Sequence, residues 1–143
     1  MIVYFDTSAI VPVIVEEESG LVASRLWDDA DRAVSSRLIY AEGRAAFAMA
    51  RRMERIDDHQ LRTMVRDFES LHQQLDIVEV SEDLVRDAGS LAEELGLRGY
   101  DAVHLASARQ VHDADLVLAS SDETLLRAAQ ALGIATSNLR HQI

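Results

Sequence analysis

Short apolar runs alternate along the chain with longer segments of helical periodicity, and this alternation restricts the fold more than any other feature. Ile2-Val-Tyr-Phe5 has the pattern of a short buried strand, with two aromatics in four apolar residues. A helix is predicted from about Ala9 to Val15, with Pro12 near its first turn, where a missing N–H costs little. Ser19 can cap a second helix, Leu21 to about Asp29. Arg32-Ala-Val-Ser35 is a weak second strand, after which Ser35 or Ser36 caps a long helix to about Arg55. Asp57 or Asp58 caps a fourth helix reaching Leu75, with Leu61, Met64, Val65, Phe68, Leu71 and Leu75 on one face. Asp76 to Val80 reads as a third strand. Ser81 opens a fifth helix that Gly96 closes, and a sixth runs from about Asp101 to Val111. Ala114 to Ala119 is a fourth strand, followed by a helix from about Glu123 to Leu132 that Gly133 stops. Ile134 to Thr136 is a candidate last strand. The pattern specifies a three-layer α/β domain, its mainly parallel sheet of four to five strands flanked by helices. At 143 residues, positions 1–143 suit one domain with one sizeable core.

Composition removes several classes of function. Without cysteine there is neither a disulfide nor a thiolate metal site. His59, His72, His104, His112 and His141 form no close-spaced zinc pattern, so a metal site would be built mainly from oxygen, which favours Mg²⁺ or Mn²⁺. No apolar run is long enough to span a membrane, and the N-terminus has no basic region before its apolar stretch. A cytoplasmic protein without membrane partners is the expectation. The formal charge of −11 argues against a protein that coats nucleic acid. It suits an acid cluster neutralised by cations, or a basic protein partner. All 14 basic residues are arginine, so any mechanism that needs a lysine is excluded.

Four acids stand out. Asp6 ends the first strand, where open α/β sheets place their sites; taken alone, it reads as a helix-capping residue, with Thr7 and Ser8 as alternative caps. On a helical wheel Glu42 falls amid Leu38, Ile39, Ala46, Met49, Ala50 and Met53, opposite a stripe of Arg37, Arg44, Arg51 and Arg55. A carboxylate without function belongs with the arginines; one facing the core needs a buried salt bridge or a site. Asp101 shares a face with Leu105 and Ala108, and taken alone reads as a cap or a dipole-stabilising residue. His104, at the edge of that face, reads as a packing or hydrogen-bonding residue. Asp122 repeats the placement of Asp6, following a buried strand and preceding a helix, with Glu123 as the neighbouring candidate. Acids at matching ends of parallel strands share one edge of the sheet. Four such carboxylates repel one another unless divalent cations intervene, and the natural chemistry of oxygen-bound Mg²⁺ or Mn²⁺ is phosphoryl transfer.

Asp6-Thr-Ser8-Ala, the inward Glu42, Tyr100-Asp101-Ala-Val-His-Leu-Ala106 and Ser120-Ser-Asp122 before a helix ending Ala-Leu-Gly133 resemble the PIN-domain nucleases. In length and order the chain is similar to the VapC toxins of bacterial toxin–antitoxin pairs. The resemblance implies a PIN-like fold and a Mg²⁺- or Mn²⁺-dependent endoribonuclease that leaves a 5′-phosphate and a 3′-hydroxyl. Asp6, Glu42, Asp101 and Asp122 match the family's catalytic, metal-holding quartet. Ser8 and Ser120 match its small polar positions, which orient a carboxylate or a water. Arg98 is a candidate contact to the RNA substrate. A cognate antitoxin with a basic segment and a homodimer are the implied protein partners. Other α/β classes fit less well: a receiver domain needs a lysine, a haloacid-dehalogenase-type phosphatase needs an acid where Ser8 stands, and a dinucleotide enzyme needs a glycine-rich turn after the first strand. The rival of another class is a catalytically silent PIN-like module that acts by complex formation.

Overall fold

The structure is a computed structural model that describes residues 1–15 and 20–140. Its elements in chain order are β1 (Ile2–Phe5), α1 (Thr7–Val15), α2 (Gly20–Asp29), β2 (Arg32–Ser36), α3 (Ile39–Arg52), α4 (Asp58–His72), β3 (Asp76–Val78), α5 (Glu82–Leu95), α6 (Gly99–Val111), β4 (Leu116–Ser120), α7 (Glu123–Ala131) and β5 (Ala135–Asn138). The five strands form one sheet in the order β3-β2-β1-β4-β5, and every neighbouring pair is parallel.

That order determines where a site can form. The chain moves outward from β1 to β3, then returns to the other side of β1 as β4. The helices that follow β1 and β4 therefore leave from neighbouring strand ends, the switch point at which open α/β sheets form their crevice. Phe5 lies beside Ala119 in the register, so Asp6 and Ser120 sit side by side at this switch point.

The core lies on both faces of the sheet. Along β1 the side chains alternate: Val3 and Phe5 join Ile10, Phe47 and Phe68 on one face, and Tyr4 joins Leu91, Leu105, Leu118 and Leu125 on the other. Burial on both faces explains why β1 and β4 read as near-continuous apolar runs. Among the described residues no helix is long and apolar enough to cross a membrane.

Local signals account for most element ends. Asp57 caps α4 in a reciprocal pair with Gln60. Ser81 accepts from the Leu84 N–H at the start of α5, and Gly96 ends that helix at φ 68°. The Ser19 cap lies outside the described residues. Asp6 itself caps α1: its Oδ1 accepts from the Ala9 N–H at 3.2 Å, while Thr7 and Ser8 lie inside the helix. Ser35 belongs to β2 and donates to the Phe5 carbonyl, while Ser36 accepts from the Leu38 N–H just before α3.

The face of α3 differs from the helical-wheel expectation. Its buried residues are Ile39, Gly43 and Phe47, and Met49 and Met53 are 51% and 54% exposed. The wheel weighted methionine above glycine, but packing does the reverse. Gly43 lets the helix approach Phe68 of α4 so closely that a Cβ there would fall 2.5 Å from the ring. The helix docks along its glycine, and Glu42 moves from the middle of the buried face to its margin, half-buried at the sheet edge.

Candidate active site

Asp6 is buried at the end of β1 and accepts three hydrogen bonds. Oδ1 takes the Ser8 hydroxyl at 2.7 Å and the Ala9 N–H at 3.2 Å, and Oδ2 takes the Ser120 hydroxyl at 2.9 Å. Burial pushes its pKa above the usual carboxylate range, against the opposing pull of His104, the two serines and the Ala9 N–H. The same serines join the two strand ends. Ser8 accepts from the Ser121 N–H, and Ser120 accepts from the Asp122 N–H, each at 2.9 Å.

Asp122 has a divided role. Its Oδ1 caps α7 by accepting from the Thr124 and Leu125 N–H groups at 2.9 and 3.3 Å, while Oδ2 lies 3.8 Å from the Arg98 guanidinium. Capping and a site role therefore use different oxygens. Glu123 opens α7 on the exposed side.

Asp101 is not the cap of its helix. Arg98 occupies that position, and Asp101 stands in the first turn of α6 with the Arg98 Nε 3.2 Å from its Oδ2. Leu105 and Ala108, on the same face, are fully buried. Arg98 thus spans Asp101 and Asp122 from the solvent side. It is 82% exposed, and an ion pair of that exposure stabilises by about 0–1 kcal/mol, so it is easily displaced.

Glu42 comes from α3. Its Oε1 accepts from the Thr7 hydroxyl at 2.9 Å and meets the His104 Nε2 at 2.6 Å. Burial alone would raise its pKa, but the hydrogen bond and charge of His104, with the Thr7 hydroxyl, hold it below the usual value. The Nδ1 of His104 pairs with the Tyr4 hydroxyl at 2.7 Å. In sequence Thr7 reads only as a possible cap, and nothing in Tyr4's apolar run signals that its hydroxyl serves the sheet edge.

Asp6 and Asp122 are thus linked through Ser120, and Asp101 and Asp122 through Arg98, while Glu42 is held by Thr7 and His104. Among the described residues no three acid or histidine side chains close into a group that could hold a metal ion. The donor set is all hard oxygen, which fits Mg²⁺ or Mn²⁺ in kind. Such an ion would compete with Arg98 for Asp101 and Asp122.

The family model describing the PIN domain matches residues 3–131. Two curated relatives from Mycobacterium tuberculosis strains, ribonuclease VapC45 and ribonuclease VapC49, are each 44% identical over 132 residues, covering 92% of both chains. A toxin–antitoxin complex from Klebsiella pneumoniae contains a chain of similar fold, with a TM-score of 0.68, 16% identity and 99% of each chain covered. VapC20 of M. tuberculosis, a sarcin–ricin loop cleaving toxin, matches with a TM-score of 0.63 and 17% identity over 88% of this chain and 94% of its own.

Proposed function

The chain belongs to the PIN-domain family, and from that premise we propose that it is a Mg²⁺- or Mn²⁺-dependent endoribonuclease, the toxin of a toxin–antitoxin pair, acting in the cytoplasm. The observation that carries the reading is the pairing of Asp6 and Asp122 through Ser120 at neighbouring ends of β1 and β4, with Arg98 between Asp122 and Asp101. Relatives that cover nearly the whole chain are ribonucleases by name.

The four acids would hold the cation. Bound there, such a cation would supply a lowered pKa for the attacking water and charge stabilisation for the departing 3′-oxygen. Ser8 and Ser120 fix both oxygens of Asp6, so that this carboxylate has little conformational freedom left to lose when RNA arrives. The Asp122 cap similarly frees Oδ2 while Oδ1 anchors the side chain. Arg98 is an exposed cation at the site. Once displaced from Asp101 and Asp122, it is placed to meet a substrate phosphate, which the −11 charge of the chain would otherwise repel.

An acidic edge where an exposed arginine meets two of the acids suits a partner with a basic segment, and the similar fold in a toxin–antitoxin complex supports an antitoxin as that partner. A second copy of the chain suits the apolar groove of Leu38, Val80, Val85, Tyr100 and Val103, where Tyr100 is 70% exposed.

The second reading, a catalytically silent PIN-like module, draws support from Arg98, which already neutralises two of the acids. Isothermal titration with Mn²⁺ separates the two. The enzyme reading expects binding by the parent and loss of it in Glu42→Gln; no binding by the parent, or equal binding by both, favours the silent module.

A further inference from the structure

His104 is an imidazole built into the sheet edge. It is buried between β1 and α3, with each ring nitrogen assigned to a different partner. The ring meets Tyr4 edge-on, with centroids 5.8 Å apart and planes at 76°. A hydroxyl on Nδ1 and an edge contact to the same tyrosine fix the ring in two directions. Nε2 then points at Glu42 Oε1. A charged carboxylate offers no proton, so the proton on this contact belongs to Nε2. This holds in either charge state of the ring, because Nε2 carries the proton in both.

Thr7, on α1, donates to the same oxygen at 2.9 Å. Both donors fall on Oε1, and Oε2 has no protein donor among the described residues. A carboxylate pinned by one oxygen from two elements, with the other left open, is the arrangement that a metal-ligating acid requires of its surroundings.

We propose that His104 is a positioning residue: its Nε2–H, held in place by the buried Tyr4 hydroxyl, fixes Glu42 through Oε1 so that Oε2 is presented to a divalent cation. The proposal rests on the reading of the four acids as a cation site, and it adds to that reading a residue outside the quartet.

The test uses the full-length protein and Mn²⁺ as probe. Calorimetric titration compares the parent with His104→Leu, His104→Gln and Tyr4→Phe, each checked for folding by circular dichroism. Loss of an outer hydrogen-bond partner weakens metal sites about 10–100-fold. His104→Leu is therefore expected to lose about that much affinity, and His104→Gln, whose amide N–H reaches the place of Nε2, to recover most of it. Tyr4→Phe keeps the packing but frees the ring, and a loss of several-fold is expected. A folded His104→Leu protein that binds Mn²⁺ like the parent overturns the proposal. If the leucine variant does not fold, unchanged affinity in Tyr4→Phe overturns it. The ¹⁵N shifts of His104 in the metal-free protein give an independent readout: a protonated Nε2 is expected, and an unprotonated Nε2 overturns the proposal. If the parent itself binds no Mn²⁺, the cation reading of the site fails and takes the presentation role of Glu42 with it, whereas the ¹⁵N shifts still decide whether His104 donates to Glu42.

Discussion

Replacing Gly43 by alanine tests the link between packing and the site. A Cβ on Gly43 would lie 2.5, 2.8 and 3.1 Å from Cζ, Cε2 and Cε1 of Phe68. Carbon atoms pack at about 3.5–4.0 Å, so the ring or the helix must yield by about 1 Å. Phe68 has little room to move: it is fully buried, stacked on Tyr40 at 5.8 Å and set edge-on to Phe47 at 5.4 Å. Overpacking of this kind costs about 1–3 kcal/mol, and alanine returns about 0.8–1.0 kcal/mol of helix propensity. The net expectation is a loss of roughly 0–2 kcal/mol, or about 2–4 °C in Tm for each kcal/mol. The helix is the freer partner, and Glu42 adjoins Gly43. A shift of α3 away from α4 disturbs contacts of 2.9 and 2.6 Å to Thr7 and His104, so RNA cleavage should fall by about tenfold or more, well beyond the effect on folding. Urea unfolding followed by circular dichroism measures the first effect and cleavage of a labelled RNA the second. Phe68→Leu in the Gly43→Ala background should restore part of the cleavage. A variant that gains about 1 kcal/mol, as propensity alone dictates, and cleaves like the parent would refute the close-approach argument.

Further expectations concern the acids and Arg98. Because burial raises the pKa of Asp6 in the folded chain, its contribution to stability is greatest below the unfolded carboxylate value and is lost as pH rises through the folded one. In EDTA, Asp6→Asn should therefore be at least as stable as the parent at pH 7, with the difference shrinking toward pH 4, as urea titrations at both pH values would reveal. Asp122→Ala should lose about 1 kcal/mol from the missing cap; Asp122→Asn keeps the cap, so a stable Asn variant without cleavage separates the two oxygens' roles. Arg98→Gln should bind Mn²⁺ more tightly, by up to about fivefold for an ion pair this exposed, while its KM for RNA rises; calorimetry and steady-state kinetics measure the two effects.

Much of the architecture was visible in the chain because its signals are local. β1 and β4 are buried on both faces and read as unbroken apolar runs, and α5 carries its own start at Ser81 and stop at Gly96. The third strand ends at Val78, short of the expected Val80. β5 extends to Asn138 as a polar edge strand, for which apolar patterning gives no signal. The site was legible where an acid follows a strand, as with Asp6 and Asp122. Glu42 drew notice because it disagreed with its helix's charge pattern, although the wheel misplaced the buried face by ignoring Gly43. The His104 pairings lay beyond reach, since its partners stand 62 and 100 positions away. Such contacts exist only once β1 is the middle strand, and no local pattern encodes that order. The same holds for Arg98: its neighbour Asp101 is near in sequence, but Asp122 reaches it only through the fold.

We propose that the acids at the β1–β4 edge cleave RNA with the help of a divalent cation. The most direct test is cleavage of a labelled RNA by purified parent and Asp101→Asn proteins, with Mg²⁺ and with EDTA, both proteins matched by circular dichroism. Cleavage by the parent with Mg²⁺ alone, and none by the variant, is the expected result. Equal cleavage by the two proteins, or cleavage by the parent that persists in EDTA, would contradict the account.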